Sequence, residues 1–446
     1  MYIIRPITIT DAMLIATDIP ETDSTDGEWL VGSTYHDGDT TRVTTSGVHN
    51  VYECLTEVTG GDSPEVDVLA AVPKWLETGK TNRWKPFDTV VNSQASQATA
   101  ATWVLKPGLI DAISVLNMEA TDVQIVLADQ DQNLITNGTA WTGATGTTQP
   151  NSWDKVGTPS AYLIDAGALK ITADAANEGI SQTVAVTAAT EYQLIGIYRN
   201  TAGDIAQYAV YDMSNSADIK ATTDFASTTV DAPVNYVFTT PAGCVSVKIS
   251  LMAKANGDIV WFDIVSVAPT VYNLATDLVS TISVIDSYTY WFEPIIWATS
   301  VTKLNLATAG LPPYPNATVT VTVTNTGGTM KCGVIVVGLK LEIGALQYGP
   351  QPGLESFSTL TENATFGTWS VTKRASRKTL TGQLTVKNTI IDFVLNQMAL
   401  YESELLVWVG YETYECLTIY GIYRQFRPTI RDSIYTIVDF EVRGVI

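Results

Sequence analysis

The chain has 446 residues, a formal net charge of −21 at pH 7 and 46% hydrophobic residues, so it can bury several cores and should hold three or four domains. Its acidity argues against duplex nucleic acid and anionic membranes as partners, because both require a basic surface. With two histidines and four widely spaced cysteines, His-based triads, multi-His metal sites and local zinc or redox pairs are nearly excluded.

The first ten residues, MYIIRPITIT, show β-type alternation, and residues 1–28 are predicted to form an N-terminal β segment. They lack the basic start, continuous apolar core and cleavage site of a signal peptide. No apolar run reaches the ~18–20 residues of a membrane-spanning helix. We therefore expect no membrane insertion. Four cysteines are predicted to be small buried hydrophobes in a chain made in a reducing cytoplasm: Cys54, Cys244, Cys332 and Cys416.

Residues 29–80 contain closely spaced aromatic and turn signals: Trp29, YHDGD at 35–39, VYECL at 51–55, GGDSP at 60–64 and Trp75. This order resembles the small three-stranded carbohydrate-binding modules of chitinases, and it implies a chitin-binding-like module. A unit this small has few residues with which to build a core. We therefore interpret Trp29, Tyr52 and Trp75 mainly as core, with sugar-stacking platforms as the alternative.

The segment TNRWKPFD at 81–88 follows directly. Together with the preceding module it resembles a combination found in virion proteins of tailed bacteriophages. Arg83 can fork onto a carboxylate or stack on a ring, and Trp84 and Phe87 can pin the segment to the next sheet. We interpret this strap as an interdomain connection rather than a ligand site.

Residues 131–268 carry a series of weak motifs in a recognisable order: NLITNG at 133–138, ALKI at 168–171, SQTVAV at 181–186, EYQL at 191–194, FTTP at 238–241 and WFDIV at 261–265. Their order resembles the jelly-roll carbohydrate-binding modules associated with xylanases. The sequences before and after residues 131–268 both contain strand-like segments, and neither is complete enough to form a domain by itself. We therefore predict that the jelly roll is inserted into a central β-sandwich formed by residues 81–130 and 269–345.

A sugar-binding groove requires exposed aromatic rings beside planar polar groups. Trp141 and Trp153 flank a Gly/Thr-rich loop, where burial is less automatic than on a strand. If Tyr192 and Leu194 point inward, Arg199 points outward, because alternate residues of a strand face opposite sides. On the next strand Gln207, Ala209 and Tyr211 share one face, but the sequence does not determine whether that face points inward or outward. The candidate carbohydrate-binding residues are Trp141, Trp153, Arg199 and Tyr211, each against a packing or solvated alternative.

The resemblance to xylanase-associated modules also implies a structural calcium between the opening and closing strands. Asn137 and Asp263 match those positions loosely, but the acidic ligands usual at the opening are missing. We expect no other cofactor.

Residues 346–446 are predicted to form a C-terminal α+β docking domain. Asn388 is a plausible N-cap for a helix with one apolar face: Ile390, Ile391, Val394, Leu395, Met398 and Ala399. Residues 371–446 are close to neutral, whereas the first 370 carry about −22. The basic cluster at 373–378 either docks on an acidic partner or is simply solvated.

Further segments extend the phage-virion resemblance: DSYTYWFEP at 286–294, LPPYPNA at 311–317, KCGVIVVG at 331–338 and LEIGALQYG at 341–349. Together the patterns predict a mainly β, multi-domain chain of β-sandwich and jelly-roll type with a small C-terminal α+β domain.

The resemblance implies a non-enzymatic virion protein of the tail, baseplate or collar, made in the host cytoplasm. It would be an oligomer that contacts other virion proteins and displays carbohydrate-binding modules to a host-surface polysaccharide. A purely structural virion component is one alternative. A polysaccharide depolymerase is another, and it would require two carboxylates about 5–9.5 Å apart in a groove.

Overall fold

The computed structural model describes residues 1–21, 27–44, 47, 49–90, 92–281, 300–302, 304–363 and 368–445. Within these ranges the chain is mainly β, with several packed sheets and two α-helices. The predicted fold class is confirmed. The motif at 286–294 lies outside the described residues. No helix in the described ranges is long and apolar enough to cross a membrane.

The elements that precede the jelly roll are β1 (Tyr2–Pro6), β2 (Leu14–Thr17), β3 (Gly27–Glu28), β4 (Thr34–Tyr35), β5 (Thr40–Val43), β6 (Asn50–Cys54), β7 (Val58–Thr59), α1 (Pro64–Asp67), β8 (Trp75–Lys80), β9 (Ala95–Leu105), β10 (Ala112–Glu119) and β11 (Asp122–Asp129). The jelly roll contains β12 (Thr145–Gly146), β13 (Asp154–Val156), β14 (Ala161–Asp165), β15 (Ala168–Thr172), β16 (Glu178–Ala185), β17 (Glu191–Asn200), β18 (Ala206–Asp212), β19 (Ala217–Asp224), β20 (Ala232–Thr239), β21 (Ser246–Ala253) and most of β22 (Ile259–Asp277).

The remaining elements are β23 (Val279–Thr281), β24 (Ser300–Thr302), β25 (Leu306–Ala309), β26 (Ala317–Glu342), β27 (Ala345–Leu346), β28 (Gln351–Ser356), β29 (Thr359–Asn363), β30 (Thr368–Thr372), β31 (Ser376–Lys387), α2 (Ile391–Leu400), β32 (Leu406–Val409), β33 (Thr418–Ile430) and β34 (Tyr435–Gly444). Short 3-10 turns lie at Asp11–Met13, Lys85–Phe87, Gln130–Gln132 and Glu415–Leu417.

The small module has a sheet of β3, β5, β6 and β8 over a core that includes Tyr52 and Trp75, both only 1% exposed. Trp29 packs against this core while staying half-buried. The interpretation of these aromatic residues as core is therefore confirmed for Tyr52 and Trp75, whereas Trp29 lies at the edge of the core.

The strap contacts three parts of the chain. Arg83 donates to the Ile19 carbonyl at 3.1 Å and lies 3.4 Å from the Glu21 carboxylate. Trp84 stacks on His49 of the small module, with ring centroids 4.6 Å apart, and Phe87 packs against the core of the central sandwich. The strap thus connects the small module, the N-terminal segment and the central sandwich.

The central sandwich is built from β2, β9, β10, β11, β25, β26 and the end of β22. In β26 the sequence ATVTVTVT places Val319, Val321 and Val323 in the core, because alternate side chains of a strand point to opposite faces. The threonines between them point away from the core. β11 pairs with β26 on one side and with β22 on the other, so one strand continues from the jelly roll into the sandwich.

The jelly roll packs two sheets face to face. One has the order β12-β14-β15-β22-β17-β20, and the other has the order β13-β16-β21-β18-β19. Tyr192, Leu194 and Tyr198 of β17 lie in the core between the sheets, and Arg199 lies outside it. The parity prediction for this strand is confirmed.

The outer face of the six-stranded sheet is partly covered by the central sandwich. Ile195, Ile197 and Ile264 pack there against Ala16 and Val104. The fully buried Gln193 donates from Nε2 to Thr320 Oγ1 of β26 at 2.9 Å. These contacts fix the jelly roll against the frame through this sheet.

Asp18 lies beside this interface, and we expect it to make the free energy of unfolding pH-dependent. Burial raises its pKa to about 6, although Oδ1 accepts the Thr102 amide at 2.8 Å. The stability it contributes is fully present below the unfolded value of 3.8 and is lost as the pH rises through about 6.

We expect Asp18→Asn, which keeps the acceptor, to remove this loss. Between pH 4 and pH 7 the wild type should lose about 2–2.5 kcal/mol of unfolding free energy relative to the variant. Urea unfolding at both pH values measures the difference. If the unfolding free energies of wild type and variant change in parallel with pH, the Asp18 carboxyl group ionises in the fold as it does in water, and the prediction is contradicted.

The C-terminal domain surrounds a core of side chains from β31, α2, β32, β33 and β34. β1 pairs with β26 and β32, and Ile3 enters this core, so the first strand belongs structurally with the last domain. The predicted helix is present and buries Ile391, Val394 and Met398. Its cap position is Ile390, and the N-cap prediction for Asn388 is wrong because that side chain bonds Asp432 and Thr436 instead.

Two other expectations are resolved by the packing. Cys54, Cys244 and Cys332 are buried as predicted, but Cys416 is exposed at a short turn, so its predicted burial is wrong. Within the basic cluster, Arg377 pairs with Glu355 at 2.7 Å and Lys378 lies 3.7 Å from Glu415. These ion pairs neutralise half of the charge that the cluster would offer to an acidic partner.

Candidate functional site

Both predicted tryptophans lie inside the jelly roll. Trp141 is 5% exposed and Trp153 is 2% exposed, and their rings pack against each other with centroids 5.5 Å apart. Trp153 Nε1 donates to the Asn137 carbonyl at 3.1 Å. Gln182 closes the loop by donating to the carbonyls of Thr136 and Ser152. The expectation of exposed stacking rings is therefore wrong, because the loop folds back onto the core.

Asn137 organises the same loop from a left-handed conformation with φ 55°. Its Oδ1 accepts from the amide and the hydroxyl of Thr142, and its Nδ2 donates to the carbonyls of Thr142 and Asn151. Asp263 lies on β22 and accepts the Ile264 amide. Burial raises the pKa of Asp263.

These two residues do not fit a calcium site. Both lone pairs of the Asn137 amide oxygen are occupied within the loop, whereas calcium takes six to eight oxygen ligands. In the part of the chain that the structure describes, no group of three or more His, Cys, Asp or Glu residues could hold a metal ion.

Arg199 lies on the outer face of the six-stranded sheet, beside the half-buried Trp261. Arg199 and Lys170 are the direct cross-strand neighbours of Trp261, and their cationic groups lie 5.2 and 5.0 Å from its ring centroid. Arg199 also pairs with Asp231 at 2.9 Å, and Trp261 Nε1 donates to Asp165. The Trp261 ring thus already makes cation–π contacts with both side chains.

Tyr211 lies on the opposite side of the sandwich, on the outer face of the five-stranded sheet. Tyr208 and Val210 of β18 are in the core, so Gln207, Ala209 and Tyr211 point outward. The structure therefore separates Arg199 from Tyr211 by the whole thickness of the jelly roll, and the four candidate residues do not form one site.

Strand register arranges the outer face around Tyr211 in three rows. Tyr211 pairs with Lys248, which pairs with Thr183. In the second row, two residues further along each strand, Ala209 pairs with Ser250, which pairs with Ser181. In the third row Gln207 pairs with Met252 and with Asp224.

The middle row is low because its side chains are small. We call this feature the jelly-roll groove: its floor is Ser181, Ser250 and Ala209, and its walls are the Tyr211–Lys248 row and the Gln207–Met252 row. Residues two apart on a strand are about 7 Å apart, so the walls are about 13 Å from each other. Ser181 and Ser250 are buried at its base, while Tyr211 and Lys248 are half-buried. Lys248 Nζ lies 5.4 Å from the Tyr211 ring centroid.

One wall contains an unsatisfied acceptor. Gln207 is 4% exposed, its Nε2 donates to Asp224 Oδ1 at 2.6 Å, and its Oε1 is buried without a partner. The hydrogen bond from Gln207 and the ion pair with Lys254 lower the pKa of Asp224. A buried acceptor without a donor is costly.

Glu178 holds the loops at one end of the groove. Its carboxylate accepts the backbone amides of Thr158, Asp174 and Ala175 at 2.7, 2.9 and 3.0 Å. Burial opposes ionisation, but these bonds outweigh it and keep the pKa of Glu178 below its usual value. Gly157 adopts φ 72°, and a Cβ there would lie 2.7 Å from the Glu178 carboxylate.

Three residues that lie beside these candidates were not predicted from the sequence: Lys248, Gln207 and Trp261. For Trp261 the signal is the inward neighbour Phe262, which turns Trp261 outward by parity. For Gln207 the signal is its shared face with Tyr211. The position of Lys248 opposite Tyr211 depends on pairing between β18 and β21, which are far apart in sequence.

No protein-family model matches the chain, and no curated protein matches it. The solved structures that resemble part of it include the following three. Family 16 Carbohydrate Binding Module-2 is 22% identical, with 30% of this chain and 99% of that one covered and a TM-score of 0.25. The N-terminal cellulose-binding domain of Cellulomonas fimi β-1,4-glucanase C is 18% identical, with 29% and 95% covered and a TM-score of 0.23. The enzymatically active domain of bacteriophage CBA120 tailspike protein 4 is 12% identical, with 31% and 21% covered and a TM-score of 0.25. At these TM-scores the likenesses assign no function.

Proposed function

We propose that this protein is a structural component of a tailed-phage particle, in its tail, baseplate or collar, whose jelly roll binds a host-surface polysaccharide in the jelly-roll groove. Sugar rings present apolar faces that stack on aromatic planes, and their hydroxyls need polar partners. The groove offers the Tyr211 ring, the Lys248 ammonium and the serine hydroxyls of its floor.

The unpaired Oε1 of Gln207 is the observation that carries the proposal. It is a buried acceptor in the wall of the groove, and its side chain is fixed by the bond from its own Nε2 to Asp224. A sugar hydroxyl is a donor of the kind that would satisfy it. The Arg199 and Trp261 surface is a weaker candidate, because Arg199 is paired with Asp231 and Trp261 Nε1 already donates to Asp165.

The groove favours binding over hydrolysis. A glycosidase requires a carboxylic acid with a raised pKa to protonate the leaving oxygen. Asp224, in the wall of the groove, is held in its ionised form by Gln207 and Lys254, and its pKa is lowered. The proposed role is therefore a non-catalytic one.

The particle role is supported by the sequence resemblance of the strap and of residues 311–349 to phage virion proteins. Many copies on one particle would raise the avidity of weak individual sites. A purely structural role is the second candidate, favoured by strands that join the domains, such as β26, which runs 26 residues from the sandwich into the C-terminal domain.

Replacing Tyr211 with Ala in the full chain should weaken polysaccharide binding about tenfold, since stacking and the lysine contact are lost together. Affinity electrophoresis in gels containing xylan, hydroxyethylcellulose or purified host polysaccharide measures the effect. The matched control is Trp261→Ala, which removes a half-buried ring from the opposite face and should leave binding unchanged. If Trp261→Ala abolishes binding and Tyr211→Ala does not, the site lies on the other sheet. If none of the polysaccharides retards the wild-type protein, the purely structural role is favoured.

A further inference from the structure

We propose a second glycan-binding surface, in the C-terminal domain, that is independent of the jelly-roll groove and takes a neutral polysaccharide. An open depression of about 410 Å³ lies on the outer face of the sheet formed by β28, β31, β34 and β33. We call it the C-terminal groove, lined by Tyr348, Gln351, Thr381, Gln383, Gln425 and Glu441.

Strand register places polar side chains in one continuous row across this sheet. Gln351 pairs with Thr381, Thr381 pairs with Glu441, and Glu441 pairs with Gln425. Their neighbours Leu380 and Phe440 point into the domain core, so the row faces outward. Four strands span about 14 Å, which is enough to contact several consecutive sugar rings.

Tyr348 stands at the end of this row with its ring fully exposed, at 105% relative exposure. Its backbone is fixed by the residues before it. Leu346 is buried and its carbonyl accepts the Tyr411 hydroxyl at 3.0 Å, while the Gln347 amide donates to the Gln383 carbonyl at 2.9 Å. The ring is therefore presented by a constrained turn, which lowers the entropic cost of stacking a ligand on it.

The charges of the groove are largely engaged within the protein. Asp439 accepts from Gln383 Nε2 at 2.8 Å, and Glu441 accepts from Arg443 Nε at 2.8 Å. The side-chain amides of Gln351 and Gln425 make no hydrogen bond within the part of the chain that the structure describes. The groove thus offers an aromatic ring with free planar amides and a hydroxyl, which suits a neutral glycan better than a polyuronate.

Affinity electrophoresis of the full chain tests this surface, with dextran, galactomannan or hydroxyethylcellulose in the gel and alginate as the charged comparison. Tyr348→Ala should weaken binding to at least one neutral polysaccharide about tenfold, equivalent to ~1.4 kcal/mol. Because the ring is exposed, the melting temperature should not change. Tyr414→Ala, which removes a 61% exposed tyrosine elsewhere in the domain, is the matched control and should bind as the wild type.

The same measurement in a Tyr211→Ala background separates the two sites. Binding that survives loss of Tyr211 and disappears with Tyr348 supports the C-terminal groove even if the jelly-roll groove fails. The inference is overturned if Tyr348→Ala binds every neutral polysaccharide as the wild type does, if none of them retards the Tyr211→Ala protein, or if alginate alone is bound.

Discussion

Trp153→Ala should destabilise the jelly roll by about 3–5 kcal/mol and leave the other domains folded. The ring is 2% exposed, contacts Trp141 and donates a hydrogen bond to the backbone of Asn137. Its removal leaves a large cavity and frees the loop that it anchors. Hydrogen exchange of strands β15, β16 and β22 in the full chain measures the loss of protection within this domain.

The control for this substitution is Trp261→Ala, because Trp261 is half-buried on an outer face of the same domain. We expect a much smaller change in protection from it. This comparison also separates two interpretations of Trp153. A sugar-stacking ring would give weaker glycan binding at unchanged stability, and that outcome would contradict its burial in the core.

Glu178→Gln should lower the free energy of unfolding by about 2–3 kcal/mol at pH 7. The amide that replaces one carboxylate oxygen turns a donor toward backbone N–H groups, so either the Thr158 amide or the pair from Asp174 and Ala175 is left unsatisfied. Glu119→Gln is the matched control, because the Glu119 carboxylate is 53% exposed and pairs with Lys331 at the surface. Chemical denaturation of the three proteins measures the difference.

The effect of Glu178→Gln should depend on pH with a defined sign. The pKa of Glu178 is lowered in the fold, so the stability it contributes is present above the unfolded value of 4.5 and is lost as the pH falls through the lower folded value. Wild type and variant should therefore converge in acid. A difference that widens below pH 4 would contradict the assignment of these bonds to an ionised carboxylate.

Much of the fold was predictable because it depends on local alternation. The valines of β26, the inward Tyr192 and Leu194, and the apolar face of α2 all follow from strand or helix periodicity. The cap of α2 was mispredicted because Asn388 has tertiary partners, Asp432 and Thr436, that compete with a helix cap.

The site was only partly predictable, because its geometry depends on long-range pairing. Tyr211 was a candidate from the sequence, but its neighbours in the proposed groove come from β16 and β21, and no local signal fixes that register. Trp141 and Trp153 were misplaced because Gln182, some 30 residues away, closes their loop over the core. Periodicity describes regular strands and says little about how a loop folds back.

The interface between the jelly roll and the central sandwich decides how function should be tested. Removal of residues 131–268 would expose Ala16 and Val104 and leave Thr320 without Gln193. Loss of binding in such a deletion would therefore mix the loss of a site with damage to the frame. Single substitutions on outer faces leave this interface intact.

The most direct test of the central claim is a crystal structure of the full chain with an oligosaccharide from a polysaccharide that it binds. We predict that the sugar lies over Ser181, Ser250 and Ala209, stacks on Tyr211 and donates a hydroxyl to Gln207 Oε1. A sugar bound only at Trp261 and Arg199, or only in the C-terminal groove, would contradict the assignment of the jelly-roll groove as a glycan-binding site.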